Sequence, residues 1–203
     1  MTGAPPDPAH LLEAAALLVP EDVATENDVT VNDVWEYLAH DEWEVALVVL
    51  EELGGDTGTL PPDFWESLAT AAEQLHLERS TAWCRWRRYE AHHGIIRADL
   101  VLVPADEGRR RTPFSGAGVL RPLWDIGRRT GAGEPDLCVA ALWAEFTPSV
   151  EPGGRATIRL APLSPPKWRH LRPGQVITMH EDRTVAGTAV VLDSQSRADS
   201  RCP

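Results

Sequence analysis

Between Gly108 and Pro122 the chain reads GRRRTPFSGAGVLRP, with Arg109, Arg110 and Arg111 adjacent and Arg121 near the end. Arginine carries a permanent charge on a planar fork that matches phosphate and carboxylate oxygens. Side by side, such groups can neutralise nucleic-acid phosphates, each one adding to a salt-dependent affinity. Arg128 and Arg129, in IGRRTGAG, extend that patch if their loop folds toward Arg111, but an exposed loop is the preferred reading. A plainer reading stands beside this one. The cluster is then a solvated turn at a strand end, flanked by Asp106 and Glu107, in a chain whose basic residues are arginine except for Lys167. Thr112, Pro113 and Phe114 read as structural, because proline fixes a corner and cannot donate to a β-ladder.

Other chemistry finds no support. No GxxxxGK[ST] stretch occurs, so GTP binding by this chain alone has no phosphate cradle. There is no GxSxG, no HExxH and no Cys/His pairing with local support, so no catalytic site is expected. Cys84, Cys138 and Cys202 are far apart and odd in number, which fits a reducing, cytoplasmic setting. Cys84, His92 and His93 lack metal-site spacing, and no metal or cofactor is expected. Trp168, among Lys167, Arg169, His170 and Arg172, can stack on a base or anchor a surface loop, and the loop anchor is preferred. Arg85 and Arg88 share a helical face, placed to pair with carboxylates. Glu44, Glu51 and Glu52 read as a solvated face.

Charge divides the chain. The formal net charge is −12, with 19 acidic and 4 basic residues in 1–96 against 12 and 15 in 97–203. This balance excludes a protein that simply coats nucleic acid and directs any anionic partner to the second half. The apolar run from Leu11 to Val19 is too short to cross a membrane and has no basic start, so no membrane association is expected.

The texture changes at the same place. Residues 1–8 read as a disordered lead and 9–94 as an acidic helical domain. AHLLEAAALLV is a helix ended by Pro20. Thr30 and Asp33 form a capping box ahead of a helix with Val34, Trp35 and Leu38 on one face. Asp41 caps the next helix, in which Trp43, Ala46, Leu47, Leu50 and Leu53 repeat at helical spacing. Pro62 opens a helix through Phe64, Trp65, Leu68, Ala72 and Leu75, and a last helix begins near Ser80 and ends before Gly94, its C-cap. Residues 97–193 then hold short Val-, Ile- and Thr-rich runs, ADLVLVP, LCVAALWAEF, RATIRLAP, QVITMHE and TVAGTAVVL, separated by turn signals. That pattern predicts an antiparallel barrel or sandwich. Residues 194–203 read as a flexible tail.

The second half also carries an ordered set of motifs. ADLVLVPADEGRRRTPFSGAGVLRPLW, VEPGGRATIRLAPLSP and HEDRTVAGTAVVL, in that order, resemble the third, C-terminal domain of elongation factor Tu and its relatives. The resemblance implies a six-stranded antiparallel β-barrel that helps bind the T-stem of aminoacyl-tRNA and meets protein partners. Thr112, Pro113 and Phe114 match the family's Thr-Pro-Phe. Arg110 and Arg111 take the positions of the Arg and His that face tRNA in the family, and Arg109 that of a Gly. Arg121 and Pro122 match its Arg-Pro, after a loop about two residues longer. Gly153 belongs to its Pro-Gly turn, and Arg183, Thr184 and Val185 to its closing strand. Residues 1–96 do not resemble the family's GTPase part. VWEYLAHDEWEVALVVLEELGG and FWESLATAAEQLHL faintly resemble MafI-type immunity proteins, which neutralise interbacterial toxins.

The expected architecture is α+β and multidomain: a small α-helical bundle, then a barrel like the third domain of elongation factor Tu. The expected function is non-catalytic binding of tRNA or of a translation-related protein through the barrel. The alternative is an immunity protein that covers a basic toxin with its acidic helices.

Overall fold

The computed structural model describes residues 6–55 and 60–195. Most of the expected lead, residues 56–58 of GGDTG, and the tail beyond 195 with Cys202 lie outside the described residues. The chain separates into two compact units, Met1–His92 and His93–Pro203.

The first unit contains α1 (Pro8–Ala16), α2 (Val31–Ala39), α3 (Trp43–Leu53), α4 (Pro62–Gln74) and most of α5 (Glu78–His93). α1 starts where the Asp7 carboxylate accepts the Ala9 N–H and Pro8 fills the first turn. It stops at Ala16, short of Pro20, because the Leu18 and Val19 amides turn back to the carbonyls of Ala15 and Ala16. α2 is closed by the expected capping box, with the Thr30 N–H donating to Asp33 at 2.7 Å. That bond holds the Asp33 carboxyl below its ordinary pKa.

Three expectations fail in this unit. Asp41 does not cap α3: it sits at φ +57°, and Glu42 occupies the cap position without a side-chain bond. Trp35 lies off the buried stripe and is exposed, whereas Val34 is fully buried. Glu51 is half-buried and accepts the Cys84 thiol at 3.3 Å, and desolvation raises its pKa. The core joins Leu12, Val34, Leu47, Leu50, Phe64 and Trp65, each such side chain contributing about 2 kcal/mol. Arg85 pairs with Glu73 at 2.8 Å, and Arg88 with Glu66.

The second unit is a closed antiparallel barrel. Its strands are β1 (Ile95–Leu102), β3 (Leu123–Asp125), β4 (Cys138–Ala144), β6 (Arg155–Pro162), β7 (Val176–Glu181) and β8 (Thr184–Gln195), in the order β1-β6-β4-β3-β7-β8. β2 (Phe114–Ser115) and β5 (Ser149–Val150) form a separate two-stranded sheet. Side chains alternate across each strand. Ala98, Leu100, Leu142, Ile158, Leu160 and Met179 therefore point inward with Trp124, and all are fully buried. Trp168 joins this core from the 3-10 helix Pro165–Trp168, which makes it an anchor rather than an exposed stacking ring. β8 runs on to Gln195, so Ser194 and Gln195 belong to a strand and not to a tail. The turn before β6 shows why glycine is needed. Pro152 and Gly153 are its central residues, Gly153 stands at φ +75°, and the Gly154 N–H donates to Glu151 O at 2.8 Å, a type II turn.

Candidate binding rim of the barrel

Strand register fixes which loops share an end. β1 leaves at Leu102 opposite Gly187 of β8, and β7 ends at Glu181 opposite Thr184. β3 starts at Leu123 opposite His180, and β4 finishes at Ala144 opposite Ile158 near the start of β6. One rim therefore collects the segment after β1, the β7–β8 turn, the approach to β3 and the β4–β5 connection. That rim carries Arg109, Arg110, Arg111, Arg121 and Arg183. Continuing the β3–β7 register two residues back from Leu123 sets Arg121 level with Asp182.

The opposite rim carries Arg128 and Arg129. Their loop leaves β3 after Asp125 and returns at Cys138, and Ile126 O accepts from His170 and from Gln175, beside the start of β7. β7 alone, at about 3.3 Å per residue, separates the two ends by about 17 Å. The loop does not fold toward Arg111, because β3 carries the chain away from that end, so the condition for extending the patch is not met and the exposed-loop reading is the one that fits. Three of the cations here are spent on nearby carboxylates, while Arg172 donates to the carbonyls of Arg169 and Leu171. Arg128 bonds Asp136 at 3.2 Å, Arg129 bonds Asp125 at 3.0 Å, and Lys167 reaches Asp136 at 3.3 Å. Arg128 first, and then Lys167, hold the Asp136 carboxyl below its ordinary pKa.

At the first rim the cluster is split. Arg110 Nε donates to Glu181 at 2.6 Å, and its guanidinium lies 5.4 Å above the Phe114 ring. Arg109 pairs with Asp182 at 3.1 Å. Arg111, Arg121 and Arg183 are exposed and have no ion pair or side-chain hydrogen bond among the described residues. Asp182, with φ +56°, and Arg183 are the two residues that turn β7 into β8. Between Arg109, Arg110, Glu181 and Thr184 lies a hollow of about 10 Å³, space for about one water.

The motif residues take distinct places. Thr112 and Pro113 are exposed, whereas Pro122 is buried. Phe114 is buried against the barrel core and pairs with Val150 of β5. Thr184 opens β8, and Val185 beside it is exposed, opposite His180. Gly116 packs so closely that an added Cβ would stand 2.6 Å from Thr147 O.

Sequence reasoning missed three features. Glu181 and Asp182, within the HEDRTVAGTAVVL motif, are the counterions of the cluster, a role nothing in that motif marks. Glu145 accepts from Arg97 at 2.9 and 2.6 Å and pairs with Arg159 at 2.7 Å. Its signal was an arginine inside each of two apolar strands. Phe146 follows Glu145 and is 93% exposed at φ +60°.

Among the described residues no group of three His, Cys, Asp or Glu side chains can hold a metal, and no helix is long and apolar enough to cross a membrane. Cys84 and Cys138 are buried free thiols whose pKa values are raised chiefly by desolvation. No protein-family model matches the chain, and no curated protein matches it.

Proposed function

We propose that this chain is a non-catalytic binding protein. Its barrel, of the kind found as the third domain of elongation factor Tu, engages the phosphate backbone of RNA, with tRNA the first candidate. The observation that carries the reading is the gathering of Arg109, Arg110, Arg111, Arg121 and Arg183 at one end of the barrel, three of them without partners among the described residues. Unpaired guanidinium groups in water bind phosphate without first giving up an internal carboxylate. Arg109 can join by exchanging an exposed ion pair worth about 0–1 kcal/mol, and Arg110 by giving up its less exposed pair with Glu181. No GTP is bound by this chain alone, and a translation-related protein with an acidic face is the alternative occupant of the same rim. The test is fluorescence anisotropy of labelled tRNA with the intact chain across a salt series. Binding that weakens steeply with salt supports the reading, and no binding at low salt removes it.

A second reading concerns the first unit. Residues 1–78 contain no Lys or Arg, and α3 exposes Val45 and Val48 among the exposed carboxylates of Glu44 and Glu52. Such a surface suits a basic protein partner, as an immunity protein of the MafI type would require. Co-expression with a neighbouring basic nuclease toxin tests it, and failure to restore growth excludes that pair.

A further inference from the structure

Phe146 is a residue that neither the barrel core nor the arginine rim uses. Its side chain is 93% exposed and its backbone stands at φ +60°, a left-handed conformation that is strained for a bulky residue. The strain is held in place from both sides. On one side the Glu145 carboxylate is gripped by Arg97 at 2.6 Å and by Arg159 at 2.7 Å. On the other, the Ala144 N–H donates to Gly116 O and the Gly116 N–H to Pro148 O, each at 2.8 Å. The Thr147 hydroxyl closes the connection by donating to Ser149 O at 2.7 Å. A connection so tied cannot relax to bury the ring. It presents a rigid aromatic face to water at the end of β4, the same end of the barrel as Arg111, Arg121 and Arg183.

We propose that Phe146 is a stacking platform for an unpaired nucleobase, so that the rim prefers RNA with a single-stranded overhang to a fully paired duplex. The inference rests on the RNA reading above. Every base offers a π-face, but bases inside a duplex already have both faces covered. Only an unpaired base can add an aromatic neighbour. Guanidinium groups on the same rim would hold the flanking phosphates while the ring takes the base. An apolar pocket on a protein partner would also accept the ring, but it would leave the open arginines without a role.

The test uses the intact chain and two RNAs, a blunt hairpin and the same hairpin with a short 3′ overhang. The overhang is expected to strengthen binding roughly tenfold. Phe146→Ala is expected to erase that advantage and to leave blunt-hairpin affinity and its salt slope unchanged, whereas Phe146→Tyr keeps the advantage. Because the ring is exposed, its removal does not threaten the fold, and a circular dichroism melt confirms this. Equal affinity of the unchanged chain for both RNAs overturns the stacking role alone. So does a Phe146→Ala chain that keeps the overhang advantage, and the ring is then assigned to a protein pocket. Failure of the unchanged chain to bind either RNA overturns this inference together with the RNA reading.

Discussion

At one end of the barrel Arg128, Arg129 and Lys167 each close on Asp125 or Asp136, and Arg172 is tied to backbone carbonyls. At the other, Arg111, Arg121 and Arg183 have no partner among the described residues, while Arg109 and Arg110 reach across to the β7–β8 turn. Both ends look basic in the sequence. The difference lies in where the carboxylates fall. Asp125 precedes Arg129 by four residues and Asp136 follows Arg128 by eight, so one loop neutralises itself. Glu181 and Asp182 answer only the first two of three adjacent arginines. A run of cations is thus available to an anionic partner only to the extent that the fold leaves it unanswered.

The largest expected effect concerns the clamp beneath the open end. Glu145→Ala removes the carboxylate that Arg97 and Arg159 share, at a cost of about 3 kcal/mol. Urea unfolding of the intact chain should show this loss, and the overhang preference should vanish with it. Retained stability would mean that the clamp is dispensable.

Next in size is the comparison of the ends themselves. Arg111→Ala, Arg121→Ala and Arg183→Ala together should weaken tRNA binding more than tenfold and lower the salt slope by about 1 for each phosphate left without its guanidinium. Arg128→Ala with Arg129→Ala should change neither. Equal losses from both sets would erase the distinction between the ends.

A smaller effect should come from freeing the paired arginines. Glu181→Gln with Asp182→Asn is expected to raise tRNA affinity up to about fivefold, the scale of an exposed ion pair. A fall in affinity would show that the turn carboxylates position Arg109 and Arg110 for binding rather than compete for them.

The smallest effect belongs to the closed end. The Asp136 carboxyl is held below its ordinary value by Arg128 and then Lys167, so it titrates lower when folded than when unfolded. The stability it contributes is present above the unfolded pKa and is lost as pH falls through the folded one. Asp136→Asn should flatten that acid limb, measured as the urea midpoint below about pH 4. It should also release Arg128 and Lys167 and give the closed end weak, salt-sensitive RNA binding.

Much of the fold is legible in the sequence because its signals are local. Thr30 and Asp33 announce a cap, Pro62 a helix start, and five alternating runs most of the barrel. The sixth barrel strand, Leu123–Asp125, has no run of its own, because three residues show no periodicity. The site is legible only as a set of residue types. Arg109, Arg110 and Arg111 stand out by adjacency, but their counterions lie more than 70 residues away in sequence, and only the closing of β7 onto β8 brings them near. Arg128 and Arg129 fall at the far end because β3 and the residues that continue it, with Ile126 O held by His170 and Gln175, carry the chain there. Phe146 gives no composition signal, since its exposure follows from a left-handed backbone that Glu145 and Gly116 enforce together.

The most direct measurement is side-chain NMR of the arginine Nε–Hε groups in the intact chain during titration with tRNA. Arg111, Arg121 and Arg183 should shift first, Arg109 and Arg110 should follow as their ion pairs exchange, and Arg128 and Arg129 should stay still. Shifts confined to Arg128 and Arg129, or binding that leaves all of these signals unmoved, would contradict binding through the open end.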